Sequence, residues 1–222
     1  MLKRLIKILY TKKYKLYEQP YQLNIVGLRN ADTKSNSFDD SLYLFYKDET
    51  GKWIFGTCPI TTDPGTYWLE NPSQVDGTAI LEAGQYEDAY SLGLHKGQYL
   101  ALVETKPVRV IRDYDRNAYL DFFNGKEETG NFGINIHRAN ATGATKTVDK
   151  WSAGCQVFQN VKDFEIFLAL CEKHKNLYGN KFTYTLIDTR AFRRQVARWA
   201  VYGTTALVTA AGITWLIKLL KK

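Results

Sequence analysis

Apolar and polar side chains alternate along the chain in short β-like runs, with one longer stretch of helical period among them. Residues 22–28 read as a first strand. Residues 41–46 and 53–55 read as two more, joined by Lys47-Asp48-Glu49-Thr50-Gly51 as a hairpin turn. The polar stretch 30–40 reads as a loop. Thr61-Thr62-Asp63-Pro64-Gly65 is a strong turn signal, and Thr66-Tyr67-Trp68-Leu69 after it reads as another strand. Further β segments are expected at 79–81, 99–104, 108–112, 133–137 and 156–158. Between 162 and 178, Phe164, Phe167, Leu168, Cys171 and Leu177 recur at helical spacing, and Gly179 supplies a stop. A final strand at 182–187 closes the region. The pattern predicts a mostly β domain of the α+β class with one main helix.

The two ends differ from this middle. Residues 199–217 contain no charged side chain, and nineteen helical residues reach roughly 28 Å, close to the hydrocarbon core of a bilayer. Arg190, Arg193, Arg194 and Arg198 precede the stretch, and Lys218, Lys221 and Lys222 follow it. Trp199, Tyr202 and Trp215 lie near its edges, where aromatic rings favour the headgroup region. Gly203, Ala206, Ala210 and Gly212 would let a second copy approach closely, so the helix offers a route to a homo-oligomer. A transmembrane helix is expected here, against the alternative of a helix buried in protein. Bases on both sides leave its orientation open. Residues 1–16 form a basic amphipathic stretch, read either as a helix lying on anionic lipid or as a docked terminal helix. No run in it is apolar enough for a cleavable signal. The expected division is an amphipathic segment at 1–20, a folded domain at 21–190 and a membrane helix with basic flanks at 191–222.

At 222 residues and 45% hydrophobic content, the chain can bury the core of one ordinary domain, which excludes general disorder. The net charge of +7 suggests a nucleic-acid partner until it is located. Six basic residues lie in 1–15 and seven in 190–222, with no acidic residue in either segment. The middle therefore holds 17 basic against 23 acidic residues, with no basic face interleaved with aromatics, and nucleic acid is not an expected partner.

Three cysteines give no disulfide framework, and three histidines can be examined one by one. Cys171 and His174 stand three apart on the main helix. No second ligand pair accompanies them, so a packed thiol beside a surface imidazole is expected, and no metal or cofactor. Cys58 ends a strand and is expected in the core. Asp39-Asp40 and Asp113-x-Asp115 are paired carboxylates of the kind found in glycosidases and metal sites, but their loop settings favour turn-forming or solvated roles.

Cys155 is different. It follows Ser152-Ala153-Gly154, small residues that let the backbone turn sharply and present N–H groups near the sulfur, as an oxyanion hole requires. Eighteen residues earlier comes His137, at the end of a β-like run, where an imidazole can be held as base for a thiol. The polar interval 139–150 reads as the loop joining the two strand ends. Asp149 in it either orients His137 as a third member or is a plain loop carboxylate. His95, in the polar turn 93–99, and Tyr99 are candidates to line a substrate groove, against an exposed turn histidine as the alternative.

His137, a loop, and Ser152-x-Gly154-Cys155 together resemble the signature of the L,D-transpeptidase catalytic domain. Thr61-Thr62-Asp63-Pro64-Gly65-Thr66-Tyr67 is similar to that family's Thr-Pro-x-Gly-x-aromatic turn, upstream and in the same order. The likeness spans 22–190 as scattered motifs, and the overall look, a short β domain with lysis-type membrane tails, resembles phage-encoded relatives of that fold. It implies a mixed β-sheet domain whose cysteine attacks a carbonyl in the stem peptides of peptidoglycan. Cys155 would be the nucleophile and His137 the general base. The N–H groups of Gly154 and Cys155 would form the oxyanion hole, and Ser152 would brace the loop. The pattern departs from the family at Ala153, Gln156, Val157 and Arg138; Arg138 or Lys150 would have to stand in for a missing arginine. The departures lie on the substrate side, which favours hydrolysis over cross-linking. The expectation is a membrane-attached hydrolase facing the cell wall; the alternative is a non-catalytic structural or virion protein that retains the fold.

Overall fold

A computed structural model describes residues 1–190, and the expected membrane helix at 191–222 lies outside the described residues. Residues 1–187 form one unit, which takes in the amphipathic segment at 1–20. Its elements, in order, are α1 (Leu2–Thr11), β1 (Asn24–Arg29), β2 (Asp40–Lys47), β3 (Trp53–Thr61), α2 (Thr66–Glu70), β4 (Thr78–Leu81) and β5 (Gly84–His95). There follow β6 (Tyr99–Glu104), β7 (Val108–Asp113), β8 (Glu127–Gly130), β9 (Ile136–Arg138), a 3₁₀ turn (Asp149–Trp151), β10 (Gln156–Phe158), α3 (Val161–Tyr178) and β11 (Phe182–Asp188). The class is mostly β with helices, as the pattern predicts.

Eight strands close into a barrel in the order β1-β11-β5-β6-β9-β10-β3-β2, and β4-β7-β8 form a separate three-stranded sheet. Closure leaves the barrel no free edge. Strands β9 and β10 run parallel, with Val157 opposite His137. Parallel neighbours need a crossover of a dozen or more residues. The polar interval 139–155 supplies it.

The core collects Ile25, Leu42, Tyr90, Leu102, Ile136 and Phe158 with their neighbours, and α3 packs on β9 and β10 through Phe164 and Phe167. Asn160 caps α3 by accepting the Lys162 N–H at 3.0 Å. Leu177, counted on the apolar stripe, is 55% exposed, because at about 100° per residue it turns well away from the buried face of Phe164, Phe167, Cys171 and His174. Leu5 and Leu9 of α1 are buried. The chain after α1 is stitched down by two side-chain amides: Gln85 exchanges hydrogen bonds with the Lys15 backbone and Asn24 with that of Tyr17. Among the described residues no helix is long and apolar enough to cross a membrane.

Four expectations need correction. Residues 66–69 are helical: the Thr62–Gly65 turn feeds α2, with the Leu69 N–H bonded to the Gly65 carbonyl, and only Leu69 is fully buried. Residues 93–95, expected in a polar turn, end the longest strand, β5. Its alternation is obscured by Gly84, Gly93 and an irregularity at Asp88 (φ 50°), whose N–H turns to Thr183 Oγ1. His174 is buried: its Nδ1 accepts the Leu23 N–H at 3.0 Å and its Nε2 lies 3.2 Å from the Lys181 carbonyl, so it clamps three segments together. The aspartates Asp40 and Asp113 are likewise buried. Asp40 accepts from the Asn30 N–H and from both the N–H and hydroxyl of Thr62, beside the buried guanidinium of Arg29.

Candidate active site

The β9–β10 pair builds the site. The register sets Gln156 opposite Ile136 and Val157 opposite His137. Side chains alternate between faces, so Ile136, Gln156 and Phe158 share one face. Val157 and His137 share the other, and Cys155 and Asn135 directly precede the two strands. Cys155 thus enters β10 two residues before Val157, the partner of His137 in the parallel register.

The sharp approach of the loop to Cys155 depends on Gly154. Its φ is +118°, and a Cβ there would stand 2.3 Å from the Ala79 carbonyl oxygen in β4. Ser152 is fully buried; its hydroxyl donates to the Cys155 carbonyl at 2.8 Å and accepts the Gly154 N–H at 3.2 Å. These two bonds tie Ser152, Gly154 and Cys155 into one turn. The expected oxyanion hole shrinks, because the Gly154 N–H is already engaged. The Cys155 N–H has no acceptor among the described residues.

The Thr61-Thr62-Asp63-Pro64-Gly65 turn leans on the same loop. The Gly65 N–H donates to the Ser152 carbonyl at 2.9 Å, and a Cβ on Gly65 would sit 2.0 Å from the Asp149 carbonyl oxygen. Two segments far apart in sequence are locked together beside the cysteine.

His137 is 3% exposed. Its Nδ1 lies 2.8 Å from the Arg138 carbonyl, which can only accept, so Nδ1 carries the hydrogen and Nε2 the lone pair. The orienting partner is thus a backbone carbonyl. Asp149, in the 3₁₀ turn, does not take that role; its N–H instead bonds to Asn36 Oδ1. The Tyr99 hydroxyl stands 3.2 Å from Nδ1 and 3.3 Å from the Arg138 carbonyl, and the Arg138 guanidinium lies 4.1 Å over the Tyr99 ring. Arg138 is turned to Tyr99 in this arrangement. Lys150, the other stand-in for the arginine, lies over the Tyr67 ring.

His95 stacks on His137 with ring centroids 4.1 Å apart. It is buried, not an exposed turn residue, and its Nδ1 accepts from Asn135 Nδ2 at 3.0 Å. Asn135 also accepts the Glu104 N–H through Oδ1 at 2.9 Å, so one amide spans β6 and the second imidazole. The Glu104 carboxylate in turn holds the Phe132 and Ile134 N–H groups at 3.0 and 2.6 Å, which fixes the chain entering β9. Sequence reasoning did not single out Asn135 or Glu104. The readable signal for Asn135 was its place two residues before His137, on the same strand face.

Electrostatics give the resting state. Burial, then the neighbouring His95 ring, push His137 down to about 3. His95 is lowered by burial and by Lys96. Cys155 is part-exposed as a residue, yet protein surrounds its sulfur closely enough that burial pushes the thiol up to about 11, against opposing effects of the Asn135 N–H and Lys96. Sγ donates to the Gly133 carbonyl at 3.4 Å, and no hydrogen bond joins it to His137. The pair rests as neutral thiol and neutral imidazole. Among the described residues no three His, Cys, Asp or Glu side chains are gathered to hold a metal ion. Comparison with family models, curated proteins and solved structures finds no match to this chain.

Proposed function

We propose that this chain is a cysteine-dependent acyl-transfer enzyme of the L,D-transpeptidase type, acting hydrolytically on peptidoglycan stem peptides. One observation carries the reading: Cys155 leads into β10 two residues before the parallel-strand partner of His137, and the His137 Nδ1 is tied to a backbone carbonyl so that Nε2 is left as the base. In the proposed reaction the thiol leaves the Gly133 carbonyl, Nε2 takes its proton, and Sγ bonds to the substrate carbonyl carbon. The oxyanion faces the Cys155 N–H. Collapse expels the amine, which takes the proton from His137, and leaves a thioester. Water, deprotonated by Nε2, then attacks the thioester to release the carboxylic acid and restore the thiol. Attachment to a membrane through 191–222 and through the basic N-terminus belongs to the same proposal, with the domain facing the cell wall.

The high thiol pKa and the bond to Gly133 favour a second reading, a non-catalytic membrane-associated structural protein that keeps the fold. Purified sacculi separate the two. Wild-type protein should release separated or shortened stems visible in muropeptide mass spectra, and Cys155→Ala should release none while keeping its fold. New cross-linked dimers would contradict hydrolysis; retained activity in Cys155→Ala, or none in the wild type, would remove the enzymatic reading.

A further inference from the structure

The connection after β7 reads Asp113-Tyr114-Asp115-Arg116-Asn117-Ala118-Tyr119-Leu120-Asp121. Oxygen-bearing side chains stand at relative positions 1, 3, 5 and 9. A twelve-residue calcium loop supplies its ligands from those positions, with the backbone carbonyl of position 7 (here Tyr119) among them. Leu120 is buried and joins the small core of Leu69, Ile80, Ile111 and Phe122, so the loop is anchored at its middle. Two positions depart from the pattern: Ala118 replaces the glycine at position 6 and Asn124 the bidentate glutamate at position 12.

Spacing alone would carry nothing, but the structure adds an unsatisfied group. Asp113 is 0% exposed. Its Oδ2 accepts the Asp121 N–H at 2.8 Å, while Oδ1 is buried with no hydrogen-bond partner. The Asp115 carboxyl stands within hydrogen-bonding reach of Asp113, and the Asp121 carboxylate is near enough to repel it. A buried carboxylate oxygen without a donor, beside two further carboxyls, is costly unless a proton or a hard cation compensates it. The three side chains do not form a closed cage in this conformation. Asp115 and Asn117 are exposed and Asp121 half-buried; their oxygens now take local hydrogen bonds, Asp115 from Asn117, Asn117 from the Tyr119 N–H and Asp121 from the Phe123 and Asn124 N–H groups, and a cation would draw them inward while Asp113 stays fixed.

We propose that this loop binds a divalent cation of the calcium class through Asp113, Asp115, Asn117, Asp121 and the Tyr119 carbonyl. Without a bidentate glutamate the affinity belongs at the weak end of such loops, with half-saturation on the order of 10⁻⁴–10⁻³ M.

The test uses the full chain, stripped with a chelator and then titrated with calcium chloride or magnesium chloride alone. Terbium luminescence sensitised by Tyr114 and Tyr119 gives a second readout. Calcium should raise the melting temperature with that half-saturation and displace terbium, and magnesium should do so more weakly. Asp115→Asn, on an exposed side chain that cannot upset the core, should weaken both responses about tenfold or more. Asp113→Asn should abolish them, and its circular dichroism spectrum checks that it folds. No calcium response up to about 10 mM, an equal response to magnesium, or an unchanged response in Asp115→Asn would overturn the proposal.

Discussion

Replacing Gly154 by alanine tests how the site loop is held. The backbone there has φ +118°, and the added Cβ would lie 2.3 Å from the Ala79 carbonyl oxygen, a backbone atom that cannot swing aside. Forcing a side chain into that conformation costs about 1–3 kcal/mol. Displacing the loop from β4 adds about 1–3 kcal/mol, as overpacking does elsewhere. The total, about 2–6 kcal/mol, is a large share of an ordinary domain's stability. Gly133 is the control: its φ is +72° but nothing lies within 4 Å of a Cβ built there, so Gly133→Ala should bear only the backbone term, about 1–2 kcal/mol. Urea unfolding of the two variants, followed by far-UV circular dichroism, measures the difference directly. Gly154→Ala should be the less stable by about 1–3 kcal/mol, and should also lose activity on sacculi because the Cys155 N–H moves with the loop. Equal stability of the two variants would refute the packing of this loop against Ala79.

Three further outcomes follow from the same geometry. His137 has a folded pKa of about 3, below the unfolded value of 6.5. Its contribution is therefore present above pH 6.5 and lost as pH falls towards 3, at up to about 1.4 kcal/mol per pH unit. Urea midpoints measured from pH 4.5 to 7 should fall more steeply on acidification in the wild type than in His137→Asn, and parallel slopes would contradict the burial of a neutral imidazole. Tyr184→Phe removes the 2.7 Å hydrogen bond to the buried Gln156 Oε1 and should cost about 1–3 kcal/mol in the same assay. In substrate-free protein near neutral pH, iodoacetamide should label Cys155 slowly, about a hundredfold below an ordinary thiol, since burial lifts its pKa from 9.0 to about 11; rapid labelling read by peptide mass spectrometry would show a preformed thiolate instead.

What the sequence made legible was local. The strands at 156–158 and 182–187, the helix at 162–178 and the order of His137, loop and Cys155 all rest on periodicity or on small residues next to a nucleophile. Barrel closure was not legible, because β5 hides its alternation behind two glycines and the irregularity at Asp88. The segment after Gly65 misled for another reason: Tyr67 and Trp68 suit a strand, but tertiary contacts such as Trp68 Nε1 to the Lys150 carbonyl select a helical turn. At the site, chain order could suggest His137 and Cys155 but could not reveal that a carbonyl, rather than Asp149, orients the imidazole. Backbone groups carry no sequence signature. Nor could it show that His95 stacks on His137, since that contact depends on β5 and β6 lying beside β9. Asp40, Asp113 and Arg29 look like surface residues by type, and only the fold places them inside.

The central claim is that the Cys155 sulfur becomes acylated with His137 as its base. Intact-protein mass spectrometry of the full chain, quenched in acid during turnover of stem-peptide substrate, tests it most directly. A mass increase equal to the acyl fragment, mapped to Cys155, removed by hydroxylamine and missing from both Cys155→Ala and His137→Asn, is the predicted result. Unmodified protein throughout turnover, or an adduct that forms equally well in His137→Asn, would contradict it.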